Sequence, residues 1–338
     1  MARDRQGELA GVLAACASSM LGGASVVATR AVVGATDPAT LAALRYGIGA
    51  ACLLPVVLLA GLKLPSRRDA LPVALLGVLF FAGFPYLFNA ALARTTAAHG
   101  SLALATLPFL TLLVARAVGA EALTGRKLLG VGLAAAGVAA ALSGRLAGLP
   151  PGAWRGDLLM VATALCGAFF NVLSRPYLRR YPALSFTAAA MLAGAGATVA
   201  LALAAGSPGR LAGLGAGQWG AVAFLGVAGA ALTFYLWSYG LERTTPTGVA
   251  VTVALNPVVA LALGVGLLGE PWGWPLLAGL AAVSGGVVLV NTRSGGPARL
   301  GPAPGRRSHS SPAEGGAHAG HSTSSSLTSS PRIEGPSV

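Results

Sequence analysis

Long apolar blocks, each closed by a few polar or turn-forming residues, fill this chain from residue 9 to residue 291. A helix needs about 20 apolar residues to cross the hydrocarbon of a bilayer. The blocks therefore predict spanning helices over Leu9–Val33, Ala39–Leu62, Leu71–Leu92, Ala97–Gly119 and Leu128–Gly144. They predict five more over Leu158–Ser174, Ala183–Ala205, Trp219–Leu241, Pro246–Leu268 and Trp274–Val290. Breaks are marked at Asp37-Pro38, Pro65-Ser66, Pro150-Pro151-Gly152, Tyr181-Pro182 and Ser207-Pro208-Gly209. The expectation is an all-α membrane protein with ten transmembrane helices.

The blocks also repeat. Leu92–Leu142 aligns without a gap on Leu241–Asn291 at an offset of 149. That offset pairs Tyr86 with Tyr235, Arg94 with Arg243, Pro108 with Pro257 and Glu121 with Glu270. In so apolar a chain these rarer letters carry the weight. Gly22–Arg30 parallels Gly167–Arg175 at an offset of 145, so the duplication reaches the first helix. This also speaks against cleavage at the lipoprotein-like Leu13-Ala14-Ala15-Cys16, which would remove half of a duplicated helix. The predicted organisation is a cytoplasmic N-terminus (1–8), a first five-helix repeat (9–144), a connecting loop (145–157), a second five-helix repeat (158–291) and a disordered cytoplasmic tail (292–338). Five is odd, so the second copy inserts upside down. Inverted repeats of this kind frame a central site in secondary transporters, because exchanging the shapes of the halves exchanges the side to which the site opens.

Composition fits the bilayer. Of 338 residues 55% are hydrophobic and only 10% charged, against about 25% charged in soluble domains. The net charge of +13 would suggest nucleic acid in a soluble protein. Here the basic residues lie in short loops and the tail, so the positive-inside rule accounts for them and no nucleic-acid partner is expected. With the N-terminus inside, the inner loops hold eleven Lys and Arg and the outer loops five. That places both termini in the cytoplasm of a multi-pass protein of the cell (inner or plasma) membrane. Cys16, Cys52 and Cys166 each lie in an apolar run, odd in number and without metal spacing, and read as structural thiols. The Ser/Gly/Pro-rich tail cannot offset its ordering entropy, and its His309, His318 and His321 read as solvated. No ATP-binding loop, metal cluster or nucleophile elbow is present, so no cofactor and no metal are expected.

Polar groups inside the spans are the candidates for chemistry. Tyr86 and Asn89 sit three apart on the third span, and their repeat partners Tyr235 and Ser238, with Tyr239, sit on the eighth. Two symmetry-related tyrosines suit a cavity wall, hydroxyls orienting a polar cargo and rings covering its apolar part. Interfacial belt aromatics are the alternative. Pro108 and Pro257 fall mid-span, where a proline removes a donor and kinks a helix. Thr106 and Asn256 lie beside them. Asn171, Ser18 and Ser19 extend a polar lining, with interhelical bonding the competing role. Arg45 lies two turns into the second span, where it either snorkels outward or faces the cavity to bind an anionic group. Glu121 and Glu270 lie at span ends, away from the midplane, which favours a role in the following turn over a proton relay. Arg116 snorkels at a span end, and His99 is a loop-edge histidine with no partner in the sequence. No span has an acidic residue near its middle, which argues against export of lipophilic cations on a membrane carboxylate. Gly130, Gly132 and Gly137, with Gly279, Gly285 and Gly286, offer close-packing faces within the bundle or between the protomers of a homodimer.

Each half resembles an EamA domain of the drug/metabolite transporter superfamily. The resemblance rests on DPATLAALRYGIGA, LARTTAAHGSLALATLPFLTLL and LLGVGLAAAGV in the first half. In the second it rests on FYLWSYGLERTTPTGVAVTVALNPVVALALGVGLLGEP and LLAGLAAVSGGVVL. It covers the chain from about residue 9 to residue 291. The Gly-Glu pair of the family stands only in the second copy, as Gly269-Glu270, where the first has Ala120-Glu121. The resemblance implies a ten-helix carrier, not an enzyme, that exports small polar metabolites such as amino acids. A multidrug or sugar carrier is the alternative within that class. A membrane-embedded lipid enzyme or a scaffold lies outside it, and the clustered acidic, His or Ser groups of such an enzyme are missing.

Overall fold

Among the residues that the computed structural model describes (2–30, 32, 35–92, 94, 103–142, 154–204, 213–268 and 274–292), every regular element is a helix. The chain begins with α1 (Ala2–Arg30) and α2 (Pro38–Leu59). Asp37 starts α2: its carboxylate accepts from the backbone N–H groups of Ala39 and Thr40, both at 3.0 Å. Pro38 fills the first position, where no N–H is needed. Gly61 ends the helix in the left-handed region, at φ 62°, and Leu62 N–H reaches back to Val57 O at 3.0 Å. A continuous rod follows: α3 (Arg67–Val78), a π turn (Leu79–Gly83) and α4 (Phe84–Leu92). Then come α5 (Leu107–Ala117) and α6 (Gly125–Leu142).

The second half follows the same plan. It holds α7 (Trp154–Leu173), the single turn α8 (Arg175–Leu178) and α9 (Ala183–Ala204). A second rod joins α10 (Ala216–Gly226), a π turn (Val227–Leu232) and α11 (Thr233–Arg243). The chain continues through α12 (Pro246–Ala250), a 3₁₀ turn (Val251–Ala254), α13 (Leu255–Leu268) and α14 (Trp274–Asn291). The two π turns fall at the same place in the repeat, since Val78–Gly83 maps on Val227–Leu232 at offset 149.

Among the described residues, six stretches are long and apolar enough to cross a bilayer: Gln6–Thr29, Ala39–Leu59, Arg67–Ala91, Trp154–Leu178, Ala183–Ala204 and Ala216–Arg243. Their outward faces carry large apolar side chains, such as Leu13, Leu58, Leu71, Leu158 and Leu203. The protein is membrane-embedded and multi-pass. The other predicted spans hold shorter helices. Pro108 falls in the first turn of α5, after a turn at Ala105–Thr106, whereas Pro257 follows a 3₁₀ turn (Val251–Ala254) that runs directly into α13. At Pro108 a missing N–H is harmless, because a first turn has no intrahelical acceptor for it.

Small residues bring the halves together. On α6 and α14, a Cβ on Gly286 would stand 2.6 Å from Gly130 O, and one on Gly137 would stand 2.9 Å from Gly279 O. Offset 149 maps Gly130 on Gly279 and Gly137 on Gly286, so the contacts are crosswise and the two helices run antiparallel. Other contacts exchange between halves in the same way. Gly22 of α1 backs on Asn256 of α13, as Gly167 of α7 backs on Leu107 of α5. Gly49 of α2 meets Ala230 of the second π turn, as Gly194 of α9 meets Phe81 of the first. The aromatic core forms beside this crossing. Phe80 stacks on Phe170 with centroids 4.1 Å apart, and Phe81 meets Phe234 edge-on at 4.9 Å.

Candidate functional site

Between the halves lies a cavity of about 470 Å³, within the usual range for a small-ligand site. The repeat exchanges much of its wall. Gly22 and Gly167 both line it, as do Val26 and Asn171, Phe84 and Thr233, Phe88 and Trp237, and Leu107 and Asn256. Its wall is mostly apolar and aromatic, and Arg45 is the one charged side chain among the described lining residues.

Arg45 extends from α2 across to the second π turn. Its Nη2 donates to Gly229 O at 2.6 Å, and its guanidinium carbon lies 5.6 Å from the Tyr46 ring centroid. Its Nε is buried and has no hydrogen-bond partner. Asn171 of α7 is wholly buried, and Trp237 Nε1 donates to its Oδ1 at 2.9 Å. An indole N–H only donates, so the amide oxygen faces it and Nδ2 stays free. That Nδ2 is unpaired, as is the buried Oδ1 of Asn256. Ser18 Oγ donates to Thr233 O at 2.7 Å, and the hydroxyls of Ser19 and Thr252 are 2.8 Å apart. These bonds hold α1 against α11 and the 3₁₀ turn.

The sequence candidates divide. Arg45, Asn89, Asn171 and Asn256 line the cavity, with Ser18 and Ser19. Tyr86, Tyr235, Ser238, Tyr239 and Thr106 do not. Tyr86 is 67% exposed. Tyr235 packs against the aromatic core and lies edge-on to Tyr239 at 6.1 Å. Tyr239 carries the Arg243 guanidinium over its ring at 3.5 Å. Ser238 is buried away from the cavity, and Thr106 Oγ1 donates to Ala103 O at 2.7 Å. The sequence reading missed Tyr46, Thr233, Phe234 and Trp237, which line the wall. A usable signal existed in the aromatic run Phe80-Phe81 to Phe88, whose wall-facing Phe84, Pro85 and Phe88 map on Thr233, Phe234 and Trp237. Glu270, His99 and the histidines of the tail lie outside the described residues. Cys16, Cys52 and Cys166 are free thiols.

At the other end of α1 the helices converge: a Cβ on Gly11 would meet the Arg243 side chain at 2.8 Å. Polar contacts tie that end. Glu121 is paired with Lys127 and accepts from Thr247 N at 3.0 Å. Arg175 Nη2 donates to Thr244 O at 2.9 Å, and Asn291 Nδ2 donates to Gly248 O at 3.2 Å. Glu121 is thus buried and fixes the start of α12 in the other half, rather than facing interfacial water at the turn after its own span.

A helical membrane protein with a ligand-sized cavity between two related halves is built as a transporter. The profile of the EamA-like transporter family matches residues 9–143 and 154–292, and the chain belongs to that family. It is 28% identical over 254 residues to the uncharacterized transporter YyaM of Bacillus subtilis, covering 72% of this chain and 81% of that one. It is 28% identical over 252 residues to a probable terminal-alkyne amino-acid exporter of Streptantibioticus cattleyicolor, covering 73% and 82%. It is 29% identical over 262 residues to the uncharacterized inner membrane transporter YedA of Escherichia coli K12, covering 73% and 79%. A crystal structure shares the fold with a TM-score of 0.70 at 24% identity, over 82% of this chain and 95% of that one. The protein is a transporter and not an enzyme.

Proposed function

We propose that this protein is a secondary carrier that exports small polar metabolites, amino acids first, by alternating access at the cavity between its repeats. The observation that carries the reading is that cavity, whose wall is exchanged by the repeat and holds Arg45, Asn171 and Asn256. The crosswise Gly130–Gly286 and Gly137–Gly279 contacts support two inverted five-helix repeats, hence ten spans. The excess of basic residues in alternate loops supports cytoplasmic termini in the inner membrane. The amino-acid exporter among the relatives supports the cargo class.

Counterflow into proteoliposomes loaded with a mixed amino-acid pool tests the reading. Exchange of at least one labelled amino acid is expected. Asn171→Ala is expected to cut it roughly tenfold, by analogy with buried polar groups that contact ligand, while Tyr86→Ala leaves it unchanged. Folded protein that exchanges no amino acid would sink the cargo assignment. Exchange of sugars or drugs by the same vesicles would then replace it.

A further inference from the structure

The positions that form the cavity wall obey the repeat, whereas the polar side chains placed on them do not. Asn171 stands where the first half has Val26, and Asn256 stands where it has Leu107. Offset 145, which pairs Gly49 with Gly194, puts Ala190 opposite Arg45, and Ala190 packs on Gly77 away from the cavity. A two-fold shell therefore supplies shape, and unsymmetrical polar side chains, Arg45, Asn171 and Asn256 among them, give the cargo a direction.

We propose that the cavity selects monocarboxylates with an apolar body, the carboxylate on Arg45, and that an α-ammonium group is dispensable. This rests on the transport reading above and narrows its cargo. Arg45 brings a full positive charge to a wall without a described carboxylate, and its buried Nε has no acceptor. A guanidinium offers five donors in a planar fork that suits a carboxylate. An uncompensated charge in an apolar setting is costly, and a bound anion offsets that cost. The body meets Phe84, Phe88, Phe234 and Trp237, with Phe80 held in place by its stack on Phe170. Gly229, which receives Arg45, and Trp237, which orients Asn171, lie eight residues apart on one rod, in the π turn and in α11. In the proposed pose the free Nδ2 of Asn171 donates to a neutral acceptor on the body away from Arg45. The free Oδ1 of Asn256 takes an N–H or O–H whether or not it is charged. No described carboxylate at the wall faces an ammonium, whose charge would meet only neutral acceptors and aromatic faces.

Binding to the full chain in nanodiscs, followed by isothermal titration, decides this with four probes: 3-phenylpropionate, phenylalanine, phenylalaninamide and phenethylamine. The two carboxylates are expected to bind within about threefold of each other, and the amide and the amine roughly tenfold more weakly or worse. Arg45→Gln should erase that preference and Arg45→Lys should keep most of it. The comparison of ligands on the wild type stands even if Arg45→Gln fails to fold. Phenylalanine binding without 3-phenylpropionate would overturn the inference and leave amino-acid export intact. Tighter binding of the amine, or discrimination that survives Arg45→Gln in folded protein, would also overturn it. So would binding of none of the four by protein that still exchanges a mixed amino-acid pool, which separates this failure from that of the transport reading.

Discussion

Asn171 shows how much one side chain decides at the wall. It is wholly buried, gives its oxygen to Trp237 and keeps its nitrogen free. Replacing Trp237 by Phe removes the donor and leaves the buried amide with no partner at all. An unsatisfied buried polar group costs about 1–3 kcal/mol, so Trp237→Phe should lower the thermal midpoint in detergent. Adding Asn171→Leu should recover part of the loss, because both polar partners are then gone. The sequence pointed to Asn171, Asn256 and Arg45 because polar groups within apolar spans need a reason. It pointed to Tyr86 and Tyr235 for the same reason, yet their helices turn them off the cavity. The residues that do face it, Phe84 and Phe88 in one half and Thr233 and Trp237 in the other, look like ordinary span residues until the helix rotation is known.

At the scale of elements, the crossing of α6 and α14 depends on glycine. Gly286→Ala would drive a Cβ to 2.6 Å from Gly130 O, a backbone atom that cannot turn aside. Such overpacking costs about 1–3 kcal/mol, so the variant should melt earlier than wild type. Gly132→Ala meets nothing within 4 Å and should be neutral or stabilising by up to about 1 kcal/mol, because alanine is the better helix former. Thermal unfolding followed by size-exclusion chromatography separates the two, and equal midpoints would refute this account of the crossing. Sequence periodicity marked these glycines as packing faces without saying what packs on them. It also read Pro108 and Pro257 as kinks. A turn at Ala105–Thr106 and a 3₁₀ turn at Val251–Ala254 precede the two prolines, and Leu104, Ala105, Val253 and Ala254 line the cavity there.

For the whole molecule, the cavity and the polar ties around Glu121 lie toward opposite ends of α1. Alternating access then predicts two-sided labelling in a variant lacking Cys16, Cys52 and Cys166. Thr29→Cys, at the cavity, should react with an impermeant maleimide from one face. Thr244→Cys, buried beside Arg175, should be protected from both. Glu121→Gln weakens the pairing with Lys127 that holds the start of α12. It should raise Thr244→Cys labelling from the opposite face several-fold, roughly what a shift of 1 kcal/mol allows. Labelling of both cysteines from the same face would refute the two-ended arrangement.

The sequence by itself determined the solvent, the helical class and the duplication. Those follow from block length, hydropathy and rare residues in register, which are local or periodic properties and survive without coordinates. Tertiary structure decided which face of each helix meets the cavity, because rotation about a helix axis is set by packing against partners distant in sequence. It also decided that Arg45 crosses to Gly229, that Trp237 orients Asn171, and that the halves meet crosswise through Gly130 and Gly286. Each of those contacts joins residues more than 60 positions apart, and only the folded chain brings them within reach.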